Sequence, residues 1–210
     1  MLQRRKRECE RGSALIEFVL SALVWVPLLL GTVVFSVNLI RAIQVSQLAR
    51  DSGHMYAQGV DFAQAQNAAL LTRLASGLGI QQKSGEGAVL LSKITLVTQQ
   101  DCDAANIQAC SNLGKYVFTS LYVFGNGNYA KSKLGSPDDS DYAKGTALQP
   151  QDYLVKSSLV APNFPHLFDP PSGQPAQAGQ YAFVSEVSVN SQVISWSDFS
   201  NTGSYARSIF

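Results

Sequence analysis

A chain of 210 residues carries one domain, or one domain with an appendage. Sixteen Lys and Arg against fifteen Asp and Glu leave a formal charge of +1, and 15% of residues are charged against roughly 25% in ordinary soluble domains. This excludes a disordered acidic or basic chain, and three cysteines are too few for a disulfide-dense miniprotein.

The averages hide an asymmetry at the N-terminus. Five basic residues (Arg4, Arg5, Lys6, Arg7 and Arg11) fall in the first eleven positions, and Phe18 to Ile40 then runs for 23 residues without a charge. As a helix this run is about 34 Å long, enough to cross a hydrocarbon core about 30 Å thick with some tilt. It shows no polar face, so a lipid-embedded helix is expected rather than a buried core helix. The basic cluster precedes the span and only Arg41 and Arg50 follow it closely, which predicts a cytoplasmic N-terminus and an exported remainder. Residues 41–210 hold eleven Lys/Arg and twelve Asp/Glu, so the exported part gives no electrostatic basis for nucleic-acid binding.

A cleaved secretory signal is disfavoured: the apolar run is too long and its exit, Ser36-Val37-Asn38-Leu39-Ile40-Arg41, offers no Ala-x-Ala site. Nor is a lipoprotein expected, because Cys9 precedes the run among charges. Glu17, at the edge of the span, is the residue those readings leave unexplained. A carboxylate in an apolar segment costs about 2.5–3.5 kcal/mol at the bilayer centre and less near an interface, which makes it a functional candidate.

The context Arg11-Gly12-Ser13-Ala14-Leu15-Ile16-Glu17-Phe18 resembles the processing site of type IV prepilins of the tight-adherence (Flp) branch. Residues 1 to about 62 are similar to TadE-like pseudopilins: the basic leader, that site, the Pro27-Leu28-Leu29-Leu30-Gly31 core and the Ala49-Arg50-Asp51-Ser52-Gly53 segment all match in kind. The resemblance implies that a prepilin peptidase cuts between Gly12 and Ser13 on the cytoplasmic face. Glu17 then becomes the fifth residue of the mature chain, and Phe18 fills the aromatic position after it. A carboxylate at membrane depth is tolerable when it finds a partner, here the new Ser13 amine of a neighbouring subunit, so Glu17 would register packed subunits. The implied partners are the prepilin peptidase, other pilin or pseudopilin subunits, the inner-membrane pilus assembly platform and the lipid bilayer. The chain is longer than a major pilin of this branch, which favours a minor pilin or pseudopilin.

The expected layout is a cleaved leader over 1–12, a transmembrane and stalk helix over 13–60, and an exported α+β domain over 61–210. In the stalk, Ile40, Ile43, Ala49 and Met55 alternate with Gln44, Gln47, Arg50 and Asp51, while Gly53 and Gly59 weaken the helix. Asp61 is the expected N-cap of a second helix over Phe62–Ser76, with Leu70, Leu71, Leu74 and Leu78 on an apolar side and Gly77 or Gly79 as its stop. Residues 83–87 read as a loop. Strands are expected over Ala88–Thr98, Tyr116–Phe124 and Tyr181–Val189, with a short fourth over Val193–Trp196. In the second, Val117, Thr119, Leu121 and Val123 are assigned to one face and Phe118, Ser120, Tyr122 and Phe124 to the other. A small antiparallel sheet behind a helix follows.

Cys102 and Cys110 should pair in an oxidising compartment. Residues 125–180 read as a long loop holding seven of the eight prolines between 135 and 180. There Tyr129, Tyr142, Tyr153, Phe164 and Phe168 suit either a contact surface or ordinary packing. Asp138, Asp139 and Asp141 lack the Gly and terminal Glu of a calcium loop, and His54 and His166 are solitary, so no metal or other cofactor is expected. With no nucleophile or phosphate-loop motif, an enzyme is not expected. The expected function is assembly or priming of a tight-adherence pilus from the bacterial inner membrane. The alternative is an uncleaved single-pass envelope protein with a periplasmic binding domain.

Overall fold

A computed structural model describes residues 2–143, 147–170, 177–190 and 203–210, with side chains from Ala14 onward except that of Ala143. It divides into two compact units, Met1–Arg41 and Ala42–Phe210. The first is helix throughout its described length. Helix α1 (Leu2–Ala57) begins in it, contains Pro27, and contributes its last turns to the second unit.

In the second unit, the buried positions of α1 are Val45, Leu48, Ala49, Ser52 and Gly53. Their spacing of three and four residues makes one helical stripe. The stripe carries Ala49 but leaves Ile43 outside it, 48% exposed. Gly53 does not break the helix. A Cβ there would lie 2.6 Å from the Phe210 ring and 3.1 Å from Ser185 Cβ, so the glycine permits the closest approach of helix to sheet. Gly59 ends α1 instead: at φ +85°, it lets Gly59 N–H donate to the Tyr56 carbonyl and Val60 N–H to the Met55 carbonyl. That pair of bonds satisfies two carbonyls of the last turn.

Helix α2 spans Ala65–Ala75, shorter at its start than expected, and its N-cap is Gln64 rather than Asp61. The Asp61 carboxylate accepts the Ala63 N–H and its carbonyl accepts the Asn67 side chain, so Asp61 braces a turn before the helix. Phe62, freed from the helix, is buried in the core. A 3-10 turn over Ser76–Leu78 follows, and Gly79 at φ +69° stops it. The expected loop after it is a small hairpin, β1 (Ile80–Gln81) with β2 (Ser84–Gly85).

The main sheet comprises β3 (Gly87–Leu96), β4 (Tyr116–Gly125), β5 (Tyr181–Val189) and β6 (Ser204–Ile209). Their order is β4-β3-β5-β6 and each pairing is antiparallel. The fold is therefore α+β, with an apolar N-terminal helix and small antiparallel sheets. The expected strand over Val193–Trp196 lies outside the described residues, and β6 was not foreseen.

The face assignment of β4 needs correction. Lys93 pairs with Ser120 and Ile94 with Phe118, leaving Thr119 as an extra residue opposite no partner. Such a bulge shifts the side-chain alternation by one. Leu121 and Val123 therefore join Tyr116 and Phe118, not Val117, while Phe124 and Tyr122 face α1.

Both faces of the sheet are covered. Against one, Val45, Leu48, Ala49, Ala68, Leu71 and Ala75 pack with Val89, Leu91, Phe124 and Val187. Against the other, residues of 125–180 form a layer in which Leu134, Leu148, Leu159 and Phe164 pack on Leu90, Ile94, Phe118 and Val184. This region contains short helices, α4 (Asp139–Ala143) and α5 (Pro150–Tyr153), and 3-10 turns over Gly127–Tyr129 and Ser157–Leu159. Its aromatic residues answer the open question in favour of packing: Phe164 is buried on Tyr116, with Phe168 beside both rings. Bridges from Val160 to Val117 and from Ala147 to Ser120 also cover the outer edge of β4.

Candidate functional site: the apolar helix and its carboxylate

Between Arg11 and Arg41, Glu17 is the sole charged residue. Along this stretch, α1 turns apolar side chains outward in every direction: Phe18 is 70% exposed, Leu23 71%, Trp25 61% and Phe35 69%. Within Ala14–Ala57 an 18-residue stretch has mean hydropathy 2.4 and none of that stretch is buried within the chain, so by length and composition the helix could cross a membrane. Exposing so many large apolar groups to water costs tens of kcal/mol, at about 1.5–3 kcal/mol for each side chain. Lipid or other apolar helices remove that cost.

The polar groups of this stretch are arranged accordingly. Thr32 Oγ1 donates to the Leu29 carbonyl at 2.8 Å and Ser36 Oγ to the Thr32 carbonyl at 2.7 Å, so neither hydroxyl needs water. Pro27 has no N–H for the Leu23 carbonyl one turn earlier. At Gly31 nothing lies within 4 Å of the place a Cβ would occupy, leaving a bare backbone patch. Glu17 and Phe18 sit side by side on α1, both exposed. Gly12 and Ser13 fall within α1, but their side chains lie outside the described residues.

Cys102 and Cys110 belong to the second unit and form a disulfide there. Cys102 sits on α3 (Gln99–Ala104), whose start is fixed by a capping box. Thr98 N–H donates to the Asp101 carboxylate, and Asp101 N–H donates to the Thr98 hydroxyl. The bridge packs with Val97, Val117 and Leu154 as a separate apolar cluster. Asn112 ties the same segment to α5 by donating its side-chain amide to the Tyr153 and Lys156 carbonyls. The role of the pair is structural: it anchors the β3–β4 connection.

Two buried polar arrangements escaped the sequence reading. Ser52 Oγ donates to the Leu48 carbonyl at 2.6 Å, which leaves the Ser185 hydroxyl to donate to Ser52 across 2.8 Å, joining α1 to the sheet. Glu186, 3% exposed, accepts from Ser132 Oγ at 2.5 Å, from Lys133 N–H at 2.9 Å and from Tyr205 OH at 2.5 Å. Burial first, and then the bond to Glu186 and its charge, push the Tyr205 phenol far above its usual range. The available signal was a lone carboxylate inside the apolar run Val184-Ser185-Glu186-Val187.

Elsewhere, His166 Nδ1 lies 2.9 Å from an Asp169 carboxylate oxygen, and Tyr116 OH donates to the other oxygen at 2.9 Å. Both His166 and Asp169 are exposed, and Tyr116 OH also accepts the Phe168 N–H, so the group braces its loop. Among the described residues, no group of three or more His, Cys, Asp or Glu is placed to hold a metal ion. Comparison with family models, curated proteins and solved structures gave no match.

Proposed function

We propose that the chain is a minor pilin or pseudopilin of a tight-adherence pilus system, acting by helix-to-helix association in the inner membrane. The observation that carries this reading is a helix apolar on every side with one exposed carboxylate, Glu17, at its edge. Trimming after Gly12 would leave Ser13 as the first residue, its amine positive at neutral pH. Pairing with the Ser13 amine of a neighbouring subunit removes the cost of holding the carboxylate in lipid and fixes the stagger of the two helices. Gly31, with open space around it, suits close approach of a second helix. The second unit, folded on the far side of the membrane, would be the part presented to other subunits.

The test is the mature N-terminus. After co-expression with a prepilin peptidase, intact-mass analysis and N-terminal sequencing should find a chain beginning at Ser13. A chain still beginning at Met1 overturns the reading and leaves a single-pass envelope protein with an exported binding domain. In the processed protein, Glu17→Ala should leave trimming and insertion intact while abolishing crosslinking between subunits.

A further inference from the structure

The two margins of the main sheet differ. Beside β4, isolated bridges from Val160 and Ala147 occupy the outer side. Among the described residues no such bridge reaches β6, and its pairing with β5 runs without a bulge from Val184–Ile209 to Val189–Ser204. The orientation of its backbone follows from the alternation of an antiparallel ladder. Phe183 and Phe210 exchange both their bonds at 2.9 Å, so Ser208, Ala206 and Ser204 also turn their N–H and C=O groups toward β5. Tyr205, Arg207 and Ile209 turn theirs away, and none of these six groups bonds another described residue.

Such a row specifies its occupant. Donor and acceptor pairs recur about 7 Å apart, the repeat of an extended chain, and neither a lipid surface nor a helix presents that repeat. The strand contains no proline, and Arg207 is its one exposed charge to discourage pairing. Its cross-strand neighbour, Glu186, is buried and already held by Ser132, Lys133 and Tyr205. Among the described residues no carboxylate lies within ion-pair distance of Arg207. An incoming strand with an acidic side chain opposite Arg207 is attracted, and one with a basic side chain there is repelled. A second copy of β6 is mismatched, because the antiparallel register that uses all three open residues sets Arg207 against Arg207 of the other copy.

We infer that the outer margin of β6 is a docking edge for an extended strand of another polypeptide, one carrying a carboxylate opposite Arg207. Backbone bonds fix the register of the added strand, and the ion pair selects it. The edge lies wholly within the second unit, so it stands whether or not α1 spans a membrane.

The probe is the peptide Thr-Val-Thr-Glu-Thr-Val-Thr with an N-terminal fluorescein, titrated with the full chain in detergent micelles and read by fluorescence anisotropy. Saturable binding is expected, weakened about ten-fold when the peptide's Glu is replaced by Lys. Methylating the Glu nitrogen, which removes the donor to the Arg207 carbonyl and leaves the protein untouched, should weaken it about as much. Arg207→Ala should erase the preference for Glu over Lys. Arg207→Pro, whose missing N–H faces away from β5, should keep the near-ultraviolet circular dichroism of the fold and lose the peptide. No saturable binding, or equal binding of the methylated and unmethylated peptides, overturns the docking edge. Equal binding of the Glu and Lys peptides overturns the selection by Arg207. Self-association of the chain that Arg207→Pro abolishes assigns the margin to a second copy and overturns the inference.

Discussion

Glu186 offers the sharpest test of how the second unit is held together. Its carboxylate gathers three donors from two other segments: the Ser132 hydroxyl, the Lys133 N–H and the Tyr205 hydroxyl of β6. Glu186→Gln keeps the shape but replaces one oxygen by an NH2 donor. The backbone N–H of Lys133 cannot turn round, so the amide nitrogen must take the position facing Ser132. Ser132 Oγ already accepts the Leu134 N–H, and its own proton then loses its acceptor. The remaining two bonds lose their charge assistance. A charged hydrogen bond contributes about 1.5–3 kcal/mol against about 1 for a neutral one, so the substitution should cost about 2–3 kcal/mol in all. Tyr205→Phe removes one donor and should cost about 1–2 kcal/mol. Because the two groups share a bond, the double variant should fall short of the sum by about 1 kcal/mol. Equilibrium urea unfolding of the full chain in detergent micelles, followed by tyrosine near-ultraviolet circular dichroism, reads these losses. With a slope near 2 kcal/mol/M, the Gln variant should unfold at about 1 M less urea. An unchanged midpoint, or strict additivity in the double variant, would refute the shared buried network.

Four further outcomes follow from the same structure. Burial raises the Tyr56 phenol, and burial with the Glu186 bond raises that of Tyr205, so both favour the protonated, folded form. That contribution is intact below the free phenol value of about 10 and is lost as pH rises above it; thermal unfolding across this range should show a steepening loss that Tyr205→Phe flattens. Removing the Cys102–Cys110 bridge, by Cys→Ser at both positions, should lower stability by about 2–3 kcal/mol in the same urea assay, the amount expected for so short a loop. Gly53→Leu should cost about 1–3 kcal/mol through overpacking against Phe210 and Ser185. Gly31→Leu, where nothing lies within 4 Å, should leave folding unchanged and reduce subunit crosslinking if α1 packs on sister helices.

Strands buried on both sides were legible in the sequence. Tyr181–Val189 matches its expected bounds, and β3 and β4 differ by one or two residues, because β-branched and aromatic runs mark such strands plainly. Strand β6, Ser-Tyr-Ala-Arg-Ser-Ile, carries no apolar run, since it lies at the sheet's margin and is only half-buried. Thr119 misled the face assignment for a different reason. An inserted residue leaves local alternation intact on either side and changes only the pairing, which a single strand does not display. Asp61 carries a capping residue type, yet its side chain was claimed by the nearer Ala63 N–H. Over 125–180, the core residues Leu134, Leu148, Leu154 and Leu159 follow neither helical nor strand period, because they cover the sheet from turns and short helices. At the candidate site, Glu17 was conspicuous because charge in an apolar run is rare. Glu186 was overlooked because the partners that compensate its burial lie 53 residues upstream and 19 downstream.

The strand order has a consequence for how the molecule is made. Strand β3 is central, yet its two neighbours arrive at very different times: Tyr116 begins β4 soon after Leu96, whereas β5 starts at Tyr181. A chain synthesised from its N-terminus can close the β3–β4 hairpin early, but the opposite margin of β3 must wait for the 55 residues between Gly125 and Tyr181, with its backbone groups open to any other extended chain. Loop-closure entropy makes that late pairing slow. Crowding of nascent copies, rather than weakness of the finished sheet, is then the point at which this protein is most exposed to misassembly.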